Sequence, residues 1–92
     1  MAHYAFIDSN NIVVKVIVGI DENETQIDNG IEVGGSSEAW EKFYENQFWN
    51  SGLICKRTSY NGNIRGVYAG IGYTYNADLD EFVPPVKLND EQ

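Results

Sequence analysis

Cysteine, histidine and proline are scarce in this chain of 92 residues, with one, one and two respectively, and six basic side chains stand against fourteen acidic ones. With Cys55 alone, no intrachain disulfide can close. Neither a four-cysteine zinc site nor one of two cysteines and two histidines can be assembled. A net charge of −8 repels phosphate backbones and anionic headgroups, so nucleic acid and membrane surface make poor partners. A long apolar run is also missing. Ile12 to Ile20 is interrupted by Lys15 and has about half the length a spanning helix needs, and Met1–Asp8 lacks a basic region, so neither a transmembrane segment nor a signal peptide is expected. What remains is 42% hydrophobic and 13% aromatic, the composition of one folded domain. It is expected over residues 1–85, followed by a polar tail, 86–92. A chain this short buries only about 60–65% of its unfolded surface, which leaves a narrow margin of stability that a partner would widen.

Residues 2–7 and 12–20 are rich in β-branched and aromatic side chains and flank Asp8-Ser9-Asn10-Asn11, whose side chains bond their own backbone; this predicts a β-hairpin. In its second strand Val14, Val16 and Val18 lie on one face and Val13, Lys15 and Ile17 on the other. That pattern places the strand centrally, or covered on both sides. Residues 21–35, acidic at first and then punctuated by Gly30, Gly34 and Gly35, are expected to form a long loop. Ser36 or Ser37 caps a helix over roughly 37–49, with Trp40, Phe43, Tyr44, Gln47 and Phe48 on its apolar stripe and Glu41, Lys42, Glu45 and Asn46 opposite. Leu53–Tyr60 reads as a strand, and Asn61-Gly62 predicts a type I′ turn with an antiparallel return from Asn63. Gly66, Gly70 and Gly72 mark bends or bulges. A last hairpin runs from Tyr73-Thr74-Tyr75 through Asn76-Ala77-Asp78 and back along Leu79–Val83, ending at Pro84-Pro85. The fold class expected is α+β: a mainly antiparallel sheet of about five strands with one amphipathic helix.

Chemistry finds little support. His3 could serve Cys55 as a base if their strands were neighbours, but no third group to orient it is evident, and a strand cysteine is ordinarily a small buried hydrophobe. Asp78 and Asp80 sit in a turn, where carboxylates cap backbone. Residues 21–32 partly follow the calcium-loop pattern, with Asp21, Asn23, Thr25 and Glu32 at positions 1, 3, 5 and 12, yet Gln26 stands where the sharp turn demands glycine. A solvated acidic loop is favoured, with a nonstandard calcium site left open. The glycine series matches no phosphate-binding fingerprint. Tyr60, Tyr68, Tyr73 and Tyr75 offer aromatic surface for protein or glycan contact. No catalytic residue, metal ligand or cofactor site is assigned.

The run Thr58-Ser59-Tyr60-Asn61-Gly62-Asn63-Ile64-Arg65-Gly66-Val67-Tyr68-Ala69-Gly70-Ile71-Gly72-Tyr73-Thr74-Tyr75, continuing to Phe82-Val83-Pro84-Pro85, resembles a family of small virion-associated proteins of tailed marine phages, of the cyanophage type. The opening Met1–Asp8 with Asn11-Ile12-Val13 and Val16-Ile17-Val18 is similar to that family's start. Residues 21–52 have no counterpart in the resemblance, and the aromatic segment that often follows the proline pair in the family is replaced by Val86-Lys87-Leu88.

The resemblance implies a non-enzymatic structural protein of the phage particle, a small capsid decoration or cement protein, residing in the virion and in host cytoplasm before assembly. A tail- or fibre-associated protein and a host-directed binder are the alternatives. Partners would be other phage structural proteins, with a homo-oligomer left open. The contact residues expected are Arg65, as an ion-pair anchor, with Tyr68, Ile71, Tyr73, Tyr75 and Phe82.

Overall fold

A computed structural model of the chain describes residues 2–47, 49–50, 52–62 and 64–85. Phe48 of the expected helix stripe, Asn63 of the expected return strand and the 86–92 tail lie outside them. The first hairpin forms as expected. β1 (Ala2–Ile7) and β2 (Val13–Gly19) pair antiparallel with a register shift after Phe6. The turn between them is held by Asp8, whose Oδ1 accepts from the N–H of Asn10 at 2.8 Å and of Ile12 at 3.0 Å. Asn11 takes the left-handed conformation that an asparagine tolerates there.

The central strand is β1, not β2. β5 (Ile54–Thr58) pairs antiparallel with the far side of β1, giving the order β2-β1-β5. Ala2, Tyr4 and Phe6 turn one way and Ala5 and Ile7 the other, and all five are buried. β2 is an edge strand that leaves Val14, Lys15 and Val18 exposed. Valines on both faces raise β propensity whether or not a second neighbour exists, so the pattern could not fix the strand order.

On the Tyr4 face lies α1 (Ser37–Glu45), capped by Ser36 Oγ, which accepts from Ala39 N–H at 3.1 Å. Trp40 is fully buried against Tyr4, Phe6 and Cys55, with Phe43 and Tyr44 packed beside it. The helix stops short of residue 49 because side chains take its last carbonyls: Gln47 Nε2 donates to Phe43 O at 2.9 Å and Asn50 Nδ2 to Glu45 O at 3.0 Å. Glu41, expected on the solvent side, is buried, since its carboxylate has a backbone N–H and a guanidinium to bind.

The expected loop of residues 21–35 is a hairpin. β3 (Thr25–Asp28) and β4 (Ile31–Gly34) pair around Asn29-Gly30, both at positive φ as a type I′ turn requires. Its base is fastened to the helix: the Trp40 indole N–H donates to Glu24 O at 2.9 Å, and Gly34 sits so close that a Cβ there would fall 2.3 Å from the Trp40 ring. The positive φ of Gly34 excludes a side chain independently.

The other face of the sheet is covered by residues from the 64–85 segment. β6 (Thr74–Asn76) and β7 (Glu81–Val83) form the last expected hairpin. Tyr75 and Phe82 pack with Ala5, Ile7, Val13 and Ala69 into a second core. The antiparallel return after Asn61-Gly62 does not form. Gly62 closes a turn onto Ser59 O at 2.9 Å, after which Arg65 and Gly66, both at positive φ, send the chain across the sheet face as irregular backbone. The described architecture is thus α+β with seven short strands in three antiparallel sheets and one helix.

Candidate interaction surface

Arg65 is committed inside the chain. Its Nε donates to Asp80 Oδ1 at 2.7 Å, and its Nη1 to Glu41 Oε2 and to Arg57 O, each at 2.9 Å. The same Glu41 oxygen accepts the N–H of Arg57 at 2.7 Å. Arg57 itself grips Glu22 through Nε and Nη2 at 3.1 and 2.9 Å and also donates to Thr58 O. These bonds tie the turn at residues 77–80, the 64–66 bend and the loop before β3 to one edge of the sheet. Hydrogen bonds from the Tyr75 hydroxyl and then from Arg65 hold the Asp80 carboxyl below its ordinary range. Bonding to backbone N–H and then to Arg57 does the same for Glu22.

Of the other expected contacts, Tyr75 and Phe82 are 8% and 3% exposed. They serve the monomer's own core and present almost no surface to a partner, because the hairpin that carries them is the lid of that core. Tyr73 is half-buried against the same cluster. Ile71, 73% exposed, and Tyr68 remain on the surface. Tyr68 belongs to an aromatic cluster that sequence spacing does not show. His3 stands opposite Thr58 in the β1–β5 register, and the bond from Ala69 N–H to Thr58 Oγ1 at 3.0 Å brings Tyr68 over them. His3 to Tyr68, His3 to Tyr60 and Tyr60 to Tyr68 are 5.5, 6.1 and 5.4 Å between ring centroids, and Tyr60 is exposed.

The hairpin that replaces the expected 21–35 loop presents a second surface. Residues 27–32, the tip of the β3–β4 hairpin, are all exposed, with Ile27 and Ile31 at 68% and 66%. Beside the hairpin a groove of about 480 Å³ runs between β4 and α1, floored by Val33, Ala39 and Phe43 and edged by Asp28 and Glu32. Eight of the fourteen acidic side chains fall between Asp21 and Glu45, where Lys42 is the one base. The hairpin was legible in Asn29-Gly30 with Ile27 and Ile31 close on either side.

The groups considered for chemistry are kept apart. Cys55 faces α1 opposite Phe6, whereas His3 points to the other side of the sheet opposite Thr58. Burial, followed by the Glu41 and Glu45 carboxylates, pushes the Cys55 thiol far up from its ordinary value, the reverse of what a nucleophile needs. Asp80 is engaged with Arg65 and Tyr75. The cap of that turn is Asn76, whose Oδ1 accepts from Asp78 and Leu79 N–H at 3.0 and 3.2 Å. Among the described residues no three His, Cys, Asp or Glu side chains converge as a metal site would need. No described helix is long and apolar enough to cross a membrane. Compared with family models, curated proteins and solved structures, the chain matches none.

Proposed function

We propose that this chain is a non-enzymatic assembly module, and more specifically a small structural protein of a tailed-phage particle that decorates or cements the capsid. The observation that carries the reading is the β3–β4 arm. Two isoleucines are left about two-thirds exposed on a hairpin of four-residue strands whose outer backbone edges have no further strand beside them among the described residues. A pair of strands so short has little stability of its own. Exposed apolar side chains on such an arm gain by burial against another subunit, at about 25 cal/mol per Å² removed from water, and a strand edge can add to a neighbour's sheet. The resemblance of residues 58–85 to phage virion proteins supplies the setting. The acidic stretch from Asp21 to Glu45 keeps the chain away from packaged genome.

Quantitative mass spectrometry of purified particles of the encoding phage tests this. Hundreds of copies per particle are expected; absence from the particle refutes it. A tail- or fibre-associated position is the second reading, favoured by the outward aromatic group of His3, Tyr60 and Tyr68, and it corresponds to a few to tens of copies.

A further inference from the structure

The two edges of the three-stranded sheet are finished in different ways. On β5 the outward N–H groups of Cys55 and Arg57 donate to the carboxylates of Glu45 and Glu41 at 3.0 and 2.7 Å, and the Arg57 carbonyl accepts from Arg65 at 2.9 Å. Side chains have taken the bonds a further strand would need, which blunts that edge. On β2 the first residue is covered: Val13 bonds Tyr73 O and Gly72 N–H at 2.8 Å each.

Alternation of an antiparallel ladder decides where the remaining groups of β2 point. Because Cys55 and Arg57 turn away from β1, Ile54, Lys56 and Thr58 turn toward it, where they meet Ile7, Ala5 and His3. Tyr4 and Phe6 therefore bond the opposite neighbour, at Ile17 and Lys15. Val16 and Val18 are left directing N–H and C=O outward, and no described residue takes them up.

We propose that this edge docks a second copy of the chain, β2 antiparallel to β2 about a two-fold axis at Ile17, which merges two three-stranded sheets into one. The strand's own sequence selects the occupant. About that axis Val16 falls opposite Val18 of the copy and Val18 opposite Val16 of the copy, so the outward backbone groups meet as bonded pairs and the valines as cross-strand neighbours. On the other face Ile17 meets itself and Lys15 meets Gly19. In a chain with fourteen acidic residues, Val13–Gly19 contains none, so the copies meet without opposed carboxylates. Its one charge, Lys15, is drawn back over the Trp49 ring at 4.9 Å. The axis leaves the bonds of Val13 to the 72–73 segment intact. Val18, 57% exposed in the monomer, is the side chain that gains most.

The purified full chain, alone, suffices for the test, so the result stands apart from whether the protein is found in particles. Sedimentation velocity over about three decades of concentration should show the mass rise from 10.4 kDa toward twice that value. Amide hydrogen exchange at Val16 and Val18 should slow at least tenfold as it does so. Val18→Glu, at an exposed position, should weaken association tenfold or more with an unchanged circular dichroism spectrum. A monomer at every concentration overturns the proposal. So does a dimer in which the Val16 and Val18 amides stay fast, or protection of those amides that arises only when another virion protein is added.

Discussion

Glu41→Ala removes one carboxylate oxygen that does two things at once. Oε2 accepts the N–H of Arg57, at 2.7 Å, and Arg65 Nη1, at 2.9 Å, in a place where the Glu41 residue is 7% exposed. Orphaning the Arg57 N–H costs about 1–3 kcal/mol. Stripping one partner from Arg65 adds about 1 kcal/mol rather than the roughly 3–5 of a fully broken buried pair, because Asp80 and the Arg57 carbonyl still hold the guanidinium. The sum is about 3 kcal/mol, a large share of the roughly 5–15 kcal/mol that a small domain commands, and equivalent to about 12–24 °C in Tm at this size. Glu41→Gln keeps an acceptor for the Arg57 N–H and loses only the charge, so about 1 kcal/mol is expected. Urea unfolding followed by the fluorescence of buried Trp40 measures both, as a fall in midpoint at constant slope. Equal losses in the two variants, or losses within about 0.5 kcal/mol of the parent, would refute the assignment of that oxygen.

The remaining predictions concern titration and thiol access. Asp80 and Glu22 have lowered folded-state values, so the stability they contribute is fully present above the ordinary carboxylate range of about pH 4–4.5 and is lost as pH falls through it toward their folded values. Asp80→Asn should therefore flatten the acid limb of a plot of urea midpoint against pH, and an unaltered limb would show that the ion pair with Arg65 is not formed. Cys55 is fully buried, with its thiol pushed up by desolvation, so a disulfide reagent should modify it at the rate of opening, increasing with urea; immediate labelling of the native protein would place the thiol at the surface instead.

Much of the local structure was legible in the chain because it is set by neighbours in sequence. Asp8-Ser9-Asn10-Asn11 supplies its own turn bonds. Ser36 caps a helix whose stripe begins at Trp40, and Asn76-Ala77-Asp78 supports the last hairpin. The Asn29-Gly30 signal was equally local and was outweighed by the polarity of the residues around it. Asn61-Gly62 was the opposite case, a hairpin signature with no hairpin. Arg65 finds Glu41 and Asp80 by crossing the sheet face, and that gain lies in residues 24 and 15 positions away in sequence.

By itself the sequence determined an α+β domain of hairpins and one amphipathic helix, a cysteine suited to burial and an excess of negative charge, since periodicity, turn chemistry and composition act within a few residues. Tertiary structure decided that β1 and not β2 lies at the centre, that Glu41 is inside, and that Tyr75 and Phe82 serve the core while Ile27, Ile31 and Val18 are left to solvent. Those outcomes depend on which strand β5 joins and on which face the 64–85 segment covers. Two apolar stripes look alike until something packs on one of them.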